Sequence, residues 1–415
     1  WKVYRAIKAM PWPGTAAVLV SLLWLSGKSN TSEASILDGT NVQGITAGLD
    51  AESRISGKPE PLATNEAQCS QGSNVLGKGF WLKPTEAQAL IAQDPKNKKV
   101  LYPFLGGEDF SDRPDRSATR WVINFRDWPQ EKAAEYADVF AIAERDVKPE
   151  RAKNSNKQRR EIWWRFTRPT IELYEAIADL DRVIVVSRHT KLLTFAFQPS
   201  QQVFSDGLCV IAKSSPAYLA LLSSSFHYWW AIQWGGGLEA RIRYNPSSVY
   251  ETFPQVPISE SLTRIGTNLE EAQRSATINR NAGLTGLYNL VHSEHETASE
   301  IQVVRNAHVE VDRTVAEAYG WTDLDLKHGF YETRHGTRFT VAPEIQTEIL
   351  DRLLELNHVR YKEELDKGLH TPEAKRRRAA ARKAKAKARA AAHGPQRATE
   401  DFADDGLPLD PDALF

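Results

Sequence analysis

The segment Gly237-Leu238-Glu239-Ala240-Arg241-Ile242-Arg243-Tyr244 alternates charged and apolar side chains. In an extended strand successive side chains emerge on opposite faces, so Glu239, Arg241 and Arg243 share one face and Leu238, Ala240 and Ile242 the other. A carboxylate accepts from the cytosine amino group, and a guanidinium donates to guanine O6 and N7, so that face has the chemistry to read base edges in a major groove. The same pattern serves equally for cross-strand ion pairs on an exposed sheet.

A second segment offers charge without selectivity. Between Arg145 and Arg168 nine Lys and Arg face only Asp146, Glu150 and Glu161. Arg151, Lys153, Lys157, Arg159 and Arg160 are the candidates to pair with backbone phosphates, and Trp163-Trp164 are either stacking platforms for bases or core residues. Such contacts fix a protein on a duplex without distinguishing one base pair from another.

Residues for bond-making chemistry are not apparent. An enzyme that methylates an amino group needs a Gly-rich loop after a strand and an Asn/Asp-Pro-Pro-aromatic loop; Phe104-Leu105-Gly106-Gly107 and Asn245-Pro246-Ser247 come nearest and read as ordinary turns. Asp366 with Glu373-Ala374-Lys375 matches a nuclease pattern only in its letters, at the start of a basic tail. His292 and His295 have the spacing of two metal ligands on a helix but lack a third, and Ser225 with His227 lies in an apolar helix with no oriented base. No catalytic, cofactor-binding or metal residue is assigned.

The elements that must position these residues follow from periodicity. Val18 to Leu25 is an uninterrupted apolar run, expected as a strand buried on both faces. The same run behind Lys2, Arg5 and Lys8 superficially resembles a secretory leader, but Pro11, Pro13 and Gly14 interrupt its entry and no small-x-small site directly follows. A Pro/Gly/Ser-rich stretch from Ser56 to Gly79 reads as a linker. Thr85 with Gln88 marks a capping box opening a helix to Ala92, and Pro129 opens a helix through Ala143. Trp121 to Phe125, Arg182 to Ser187, Leu193 to Phe197 and Gly207 to Ala212 read as strands. Pro216 opens an apolar helix to Trp230, ended by Gly235-Gly236-Gly237. Beyond residue 259 the pattern is helical, as in Glu344 to Leu365, and from about Thr371 the chain is basic, then acidic, and too poor in large apolar residues to pack.

Composition sets the frame. The 415 residues suffice for two or three domains, and 53 basic against 53 acidic residues give no net charge, which conceals the local basic patches. Two cysteines, Cys69 and Cys209, support neither a disulfide framework nor a Cys-based zinc site and suit a cytoplasmic protein. No run is long enough to span a membrane.

Several long blocks resemble the MmeI-type restriction–modification proteins, a family in which one polypeptide carries a nuclease, an adenine methyltransferase, a target recognition domain and a C-terminal helical domain. They include Pro11-Trp12-Pro13-Gly14, Trp121-Val122-Ile123-Asn124-Phe125-Arg126-Asp127-Trp128-Pro129, Val147-Lys148-Pro149-Glu150-Arg151 and Arg182-Val183-Ile184-Val185-Val186-Ser187-Arg188. Arg243-Tyr244-Asn245-Pro246-Ser247-Ser248-Val249-Tyr250-Glu251-Thr252-Phe253-Pro254, Ala318-Tyr319-Gly320-Trp321 and Leu353-Leu354-Glu355-Leu356-Asn357-His358 continue the resemblance, which spans roughly residues 5–370.

The resemblance implies an α+β chain: residues 1–60 ending a methyltransferase-type α/β sheet, 61–258 a mixed α/β target recognition domain, 259–370 a helical domain and 371–415 a disordered basic and acidic tail. It implies that Glu239 and Arg241 face bases, that the partner is double-stranded DNA, and that the parent enzyme methylates adenine N6 from S-adenosylmethionine. The catalytic motifs would lie before Trp1, in a methyltransferase part and a nuclease part, so the fragment alone is expected to bind no cofactor and to be inactive. The alternative is a non-enzymatic specificity subunit that docks a separate catalytic chain.

Overall fold

The computed structural model describes residues 1–15, 18–27, 35–45, 49, 54–238, 241–333 and 335–392. The fold is α+β, with several small sheets followed by a helical C-terminal region. Residues 1–363 make one compact unit and residues 364–415 a second. One apolar cluster runs across the division expected near residue 258, from Val183 through Phe226 and Trp230 to Leu262, Val304 and Leu353.

The first sheet comprises β1 (Lys2–Pro11), β2 (Leu19–Ser26), β3 (Ser35–Leu37) and β4 (Thr40–Val42) in the order β2-β1-β3-β4, with β1 antiparallel to β2 and parallel to β3. The apolar run is a strand as expected, but not one buried on both faces. It lies at the sheet edge, with Leu22, Leu23 and Leu25 exposed by 38%, 48% and 52%. A continuous apolar run reports hydrophobicity, not what covers it.

The stretch expected as a linker is fastened. Leu62 N donates to Glu251 O (2.8 Å), Asn65 Nδ2 to Phe253 O (2.8 Å), and the buried Asn357 amide grips both Glu60 N and Glu60 O (2.8 Å each). Then follow β5 (Cys69–Gln71), β6 (Trp81–Leu82), α1 (Pro84–Gln93), β7 (Leu101–Leu105), α2 (Gly107–Asp112) and β8 (Arg120–Ile123). Helix α1 is capped two residues earlier than Thr85 suggests, at Lys83, with Glu86 accepting from Lys83 N at 2.8 Å. The helix expected from Pro129 to Ala143 is two, α3 (Gln130–Ala134) and α4 (Ala137–Asp146), followed by the short α5 (Lys148–Ala152), α6 (Lys157–Glu161) and α7 (Ile171–Ile177).

Strands β9 (Arg182–Ser187), β10 (His189–Thr190), β11 (Phe195–Pro199), β12 (Val203–Phe204) and β13 (Leu208–Ile211) complete two four-stranded sheets. Their orders are β11-β9-β13-β5, antiparallel throughout, and β12-β7-β8-β6. Val183 to Val186 and Leu208 to Ile211 are buried whichever face they point to, which is why these strands read as unbroken apolar runs. Cys69 and Cys209 are free and buried on adjacent strands.

The apolar helix breaks once, into α8 (Pro216–Ser223) and α9 (Ser225–Trp234), where the Ser224 hydroxyl accepts from His227 N at 3.3 Å and restarts the helix. After β14 (Gly237–Leu238) and β15 (Arg241–Arg243) come α10 (Glu260–Asn279), α11 (Leu284–Val291), α12 (Ser299–Tyr319), the hairpin β16 (Gly329–Thr333) and β17 (Gly336–Thr340), and α13 (Pro343–Asp366). Long amphipathic helices here bury Leu262, Leu269, Val304, Val311, Ile349 and Leu353 at helical spacing.

In the second unit the tail expected from residue 371 to be disordered begins as a helix, α14 (Pro372–Ala392). The Thr371 hydroxyl accepts from Ala374 N at 3.2 Å and Pro372 takes the first helical position. Ala, Lys and Arg are among the strongest helix formers, so a segment without a core can still be helical. No helix among the described residues is long and apolar enough to cross a membrane.

Candidate nucleic-acid interface

The segment with the base-reading pattern is not the single extended strand expected: β14 pairs antiparallel with β15, setting Gly237 opposite Ile242 and Leu238 opposite Arg241, so the expected shared face holds for Arg241 and Arg243 within β15. In β15, Arg241 and Arg243 are exposed while Ile242 between them is 2% exposed and the following Tyr244 is fully buried. Tyr244 anchors the strand: its hydroxyl lies 3.0 Å from His227 Nε2, and its carbonyl accepts from Cys209 Sγ at 3.7 Å. Glu239 and Ala240 lie outside the described residues.

The glycines before β15 bring it against α9. A Cβ on Gly235 would stand 2.4 Å from Ala231 O and 2.7 Å from Arg243 O, and Gly236 takes φ +79, where other residues are strained. These constraints fold the chain back from the helix onto a three-stranded sheet of order β10-β15-β14.

Antiparallel pairing sets His189 opposite Arg243 and Thr190 opposite Ile242, with Tyr244 N donating to Arg188 O at 2.8 Å. Residues directly opposite project to the same face, so exposed His189 joins Arg243 there. Burial lowers the His189 pKa, and Arg188, Arg243 and Arg241 lower it further in that order. Four basic side chains therefore lie together, and among the described residues none of the three arginines has a carboxylate partner. The ion-pair reading of Arg241 and Arg243 has no support among those residues.

The candidate phosphate contacts divide. Arg151 is corrected: it is 3% exposed, donates through Nη2 to Val75 O (3.0 Å) and Leu76 O (2.7 Å), and lies over the Phe80 ring. It is a structural clamp. Lys153, Lys157 and Arg160 are exposed and Arg159 is half-buried. Lys157 Nζ is 3.6 Å from Glu161, and Arg160 Nη1 donates to Asn154 O and Ser155 O (2.7 and 2.9 Å), holding the loop that leads into α6. Trp163 and Trp164 are core residues, 5% and 7% exposed; Trp163 packs at 5.3 Å on Phe140, and Trp164 Nε1 donates to Trp128 O at 2.9 Å. The stacking alternative for this pair falls.

The other candidate chemistries resolve as structure. Ser225, the first residue of α9, donates from N and Oγ to Asp312 (2.7 and 2.6 Å), and His227 turns to Tyr244 instead. His292 ends α11 and accepts from Phe339 N at 3.2 Å, whereas His295 is exposed beyond the helix. Among the described residues no group of three metal-ligating side chains is assembled. The Gly106-Gly107 turn does join a strand to a helix, contrary to expectation, but α2 has six residues, and Asp109 Oδ2 already accepts from Gly106 N at 3.3 Å.

Arg188 and His189 were not singled out from sequence. They stand more than fifty residues before Arg243, and only the sheet pairing brings them to it. The signal that could have found them is Arg-His-Thr-Lys at the end of a buried strand, an abrupt change from apolar to basic.

Comparison with known proteins bears on this arrangement. Residues 51–257 match the family described as the MmeI target recognition domain. Among solved structures the chain is similar to the Type IIL restriction–modification enzyme MmeI in complex with DNA, with a TM-score of 0.60 and 20% identity over 87% of this chain and 46% of that one. The chain thus spans about half the length of that enzyme. No curated protein matches.

Proposed function

This chain carries an MmeI-type target recognition region over residues 51–257, and on that premise we propose that the exposed face of β10 and β15 reads a short sequence of double-stranded DNA in a restriction–modification enzyme. The observation that carries the reading is the pairing that sets His189 opposite Arg243 on an exposed face, with Arg188 and Arg241 beside them. Guanidinium groups there offer paired donors to guanine O6 and N7. Neutral His189 offers one donor and one acceptor. Lys153, Lys157, Arg159 and Arg160 supply backbone contacts that hold the register, and Glu239 would add an acceptor for cytosine.

In the same reading the parent enzyme transfers a methyl group from S-adenosylmethionine to adenine N6, with the target base turned out of the duplex. That step would fall to the catalytic part of the parent enzyme. The exposed apolar side chains of β2 suit a surface covered by the catalytic part, since soluble monomers rarely leave such patches open.

The test uses the full chain and a pool of random duplexes. One sequence should be enriched, and Arg241→Ala and Arg243→Ala should each relax one position of it. A lost bidentate contact costs about 1–3 kcal/mol, or roughly 5- to 150-fold in preference, while binding to scrambled duplex persists. No enrichment from the pool, or an unchanged preference in both variants, refutes the reading.

A further inference from the structure

We propose that α14 is a second, sequence-independent contact for duplex DNA, laying a row of cations along the phosphate backbone. Within Pro372–Ala392 there are nine Lys and Arg and a single acid, Glu373. Lys375, Arg378, Arg382 and Lys385 recur at intervals of three, four and three residues, the spacing that keeps side chains on one helix face. At about 1.5 Å rise per residue the row is roughly 15 Å long. Duplex DNA carries a charge about every 1.7 Å of axis, so such a row passes several phosphates.

Three further features select this partner. Every residue of the helix after Glu373 is Ala, Lys or Arg, so it offers no large apolar side chain to bury in a lipid surface or a protein groove. Lys375, Arg376, Arg377, Arg382, Lys383 and Lys385 are exposed. Like charges one turn apart, such as Arg378 and Arg382, destabilise a helix in isolation, and a polyanion removes that cost. Arg378 also donates to Leu369 O at 2.6 Å, which ties the row to the turn before the helix. The choice of DNA as the polyanion rests on the recognition reading above; the cationic row does not.

The experiment compares the full chain with a variant in which Lys375, Arg378, Arg382 and Lys385 are all changed to Gln, by fluorescence anisotropy on a duplex lacking the enriched site, from 50 to 200 mM salt. Four lost phosphate contacts should reduce the slope of log affinity against log salt by about 3 to 4. The affinity lost across that range should be smaller by about 10²-fold. A variant with Lys and Arg exchanged should keep the slope. Arg241→Ala and Arg243→Ala alter sequence preference instead, so failure of the recognition reading and of this proposal are distinguishable. An unchanged slope in the Gln variant overturns the proposal, as it would if α14 pairs with the acidic segment Glu400 to Asp412 of the same chain. A slope lost equally in the Lys/Arg exchange, or charge-dependent binding seen on anionic vesicles but not on duplex, also overturns it.

Discussion

Arg151→Met separates structural from DNA-binding cations, because Met preserves much of the side-chain stem and removes every donor. Arg151 is 3% exposed and its Nη2 serves Val75 O at 3.0 Å and Leu76 O at 2.7 Å. The Val75 carbonyl bond is buried, so its loss leaves an unsatisfied acceptor, costing about 1–3 kcal/mol. Leu76 is 43% exposed, so water can replace the second bond at little cost. Removing a buried charge gives some of this back. The net expectation is about 2 kcal/mol of lost stability, and at ~2–4 °C per kcal/mol for large domains a Tm lower by roughly 4 to 8 °C. Thermal unfolding followed by tryptophan fluorescence measures this, and anisotropy on duplex DNA below the transition measures binding. The reasoning fails if Tm is unchanged while the salt slope of DNA binding drops, because Arg151 would then be a phosphate contact.

The cluster around His189 makes a separate prediction: Arg243→Gln should raise the His189 pKa toward 6.5, since one of the charges depressing it is gone. Following its ring protons by NMR from pH 5 to 8 tests this, and an unmoved titration would show that the pair is not formed. Acid should destabilise the protein before its carboxylates titrate. Burial pushes His227 and His292 from 6.5 to about 3, so between those values the unfolded chain binds protons that the native state refuses, and stability falls as pH falls. The full slope of about 1.4 kcal/mol per pH unit for each histidine is reached only well below pH 6.5; from pH 6.5 to 5.5 each costs about 1 kcal/mol, so unfolding free energies from denaturant titrations should differ by about 2 kcal/mol in total. His227→Gln should halve that difference; a flat profile over this interval contradicts the neutral burial of both rings.

Much of the architecture lies in local pattern. The alternation Arg241, Ile242, Arg243 sets one face out and one in before any partner is known, and β15 follows it. Buried strands at Arg182–Ser187 and Leu208–Ile211, and the helix Pro343–Asp366 behind its proline, are likewise legible because side-chain periodicity and terminal residues act over a few positions. Helix α14 was locally encoded as well, since Ala, Lys and Arg favour helix without any core, although low hydrophobicity alone argues for disorder.

Tertiary structure decided where the charges and rings went. Arg151 and Arg160 read alike in sequence, yet one is buried beneath Val75 and Leu76 and the other is exposed, because burial depends on chain segments about seventy-five residues away. Trp163 and Trp164 became core only through Phe140 and Trp128. The apolar Leu22, Leu23 and Leu25 stayed exposed because an edge strand is covered only by what packs on it. The basic reading face itself depends on a long-range strand pairing that sets His189 beside Arg243. Alternation fixes which way a side chain points along its own strand; which other side chains share that face is fixed by the fold.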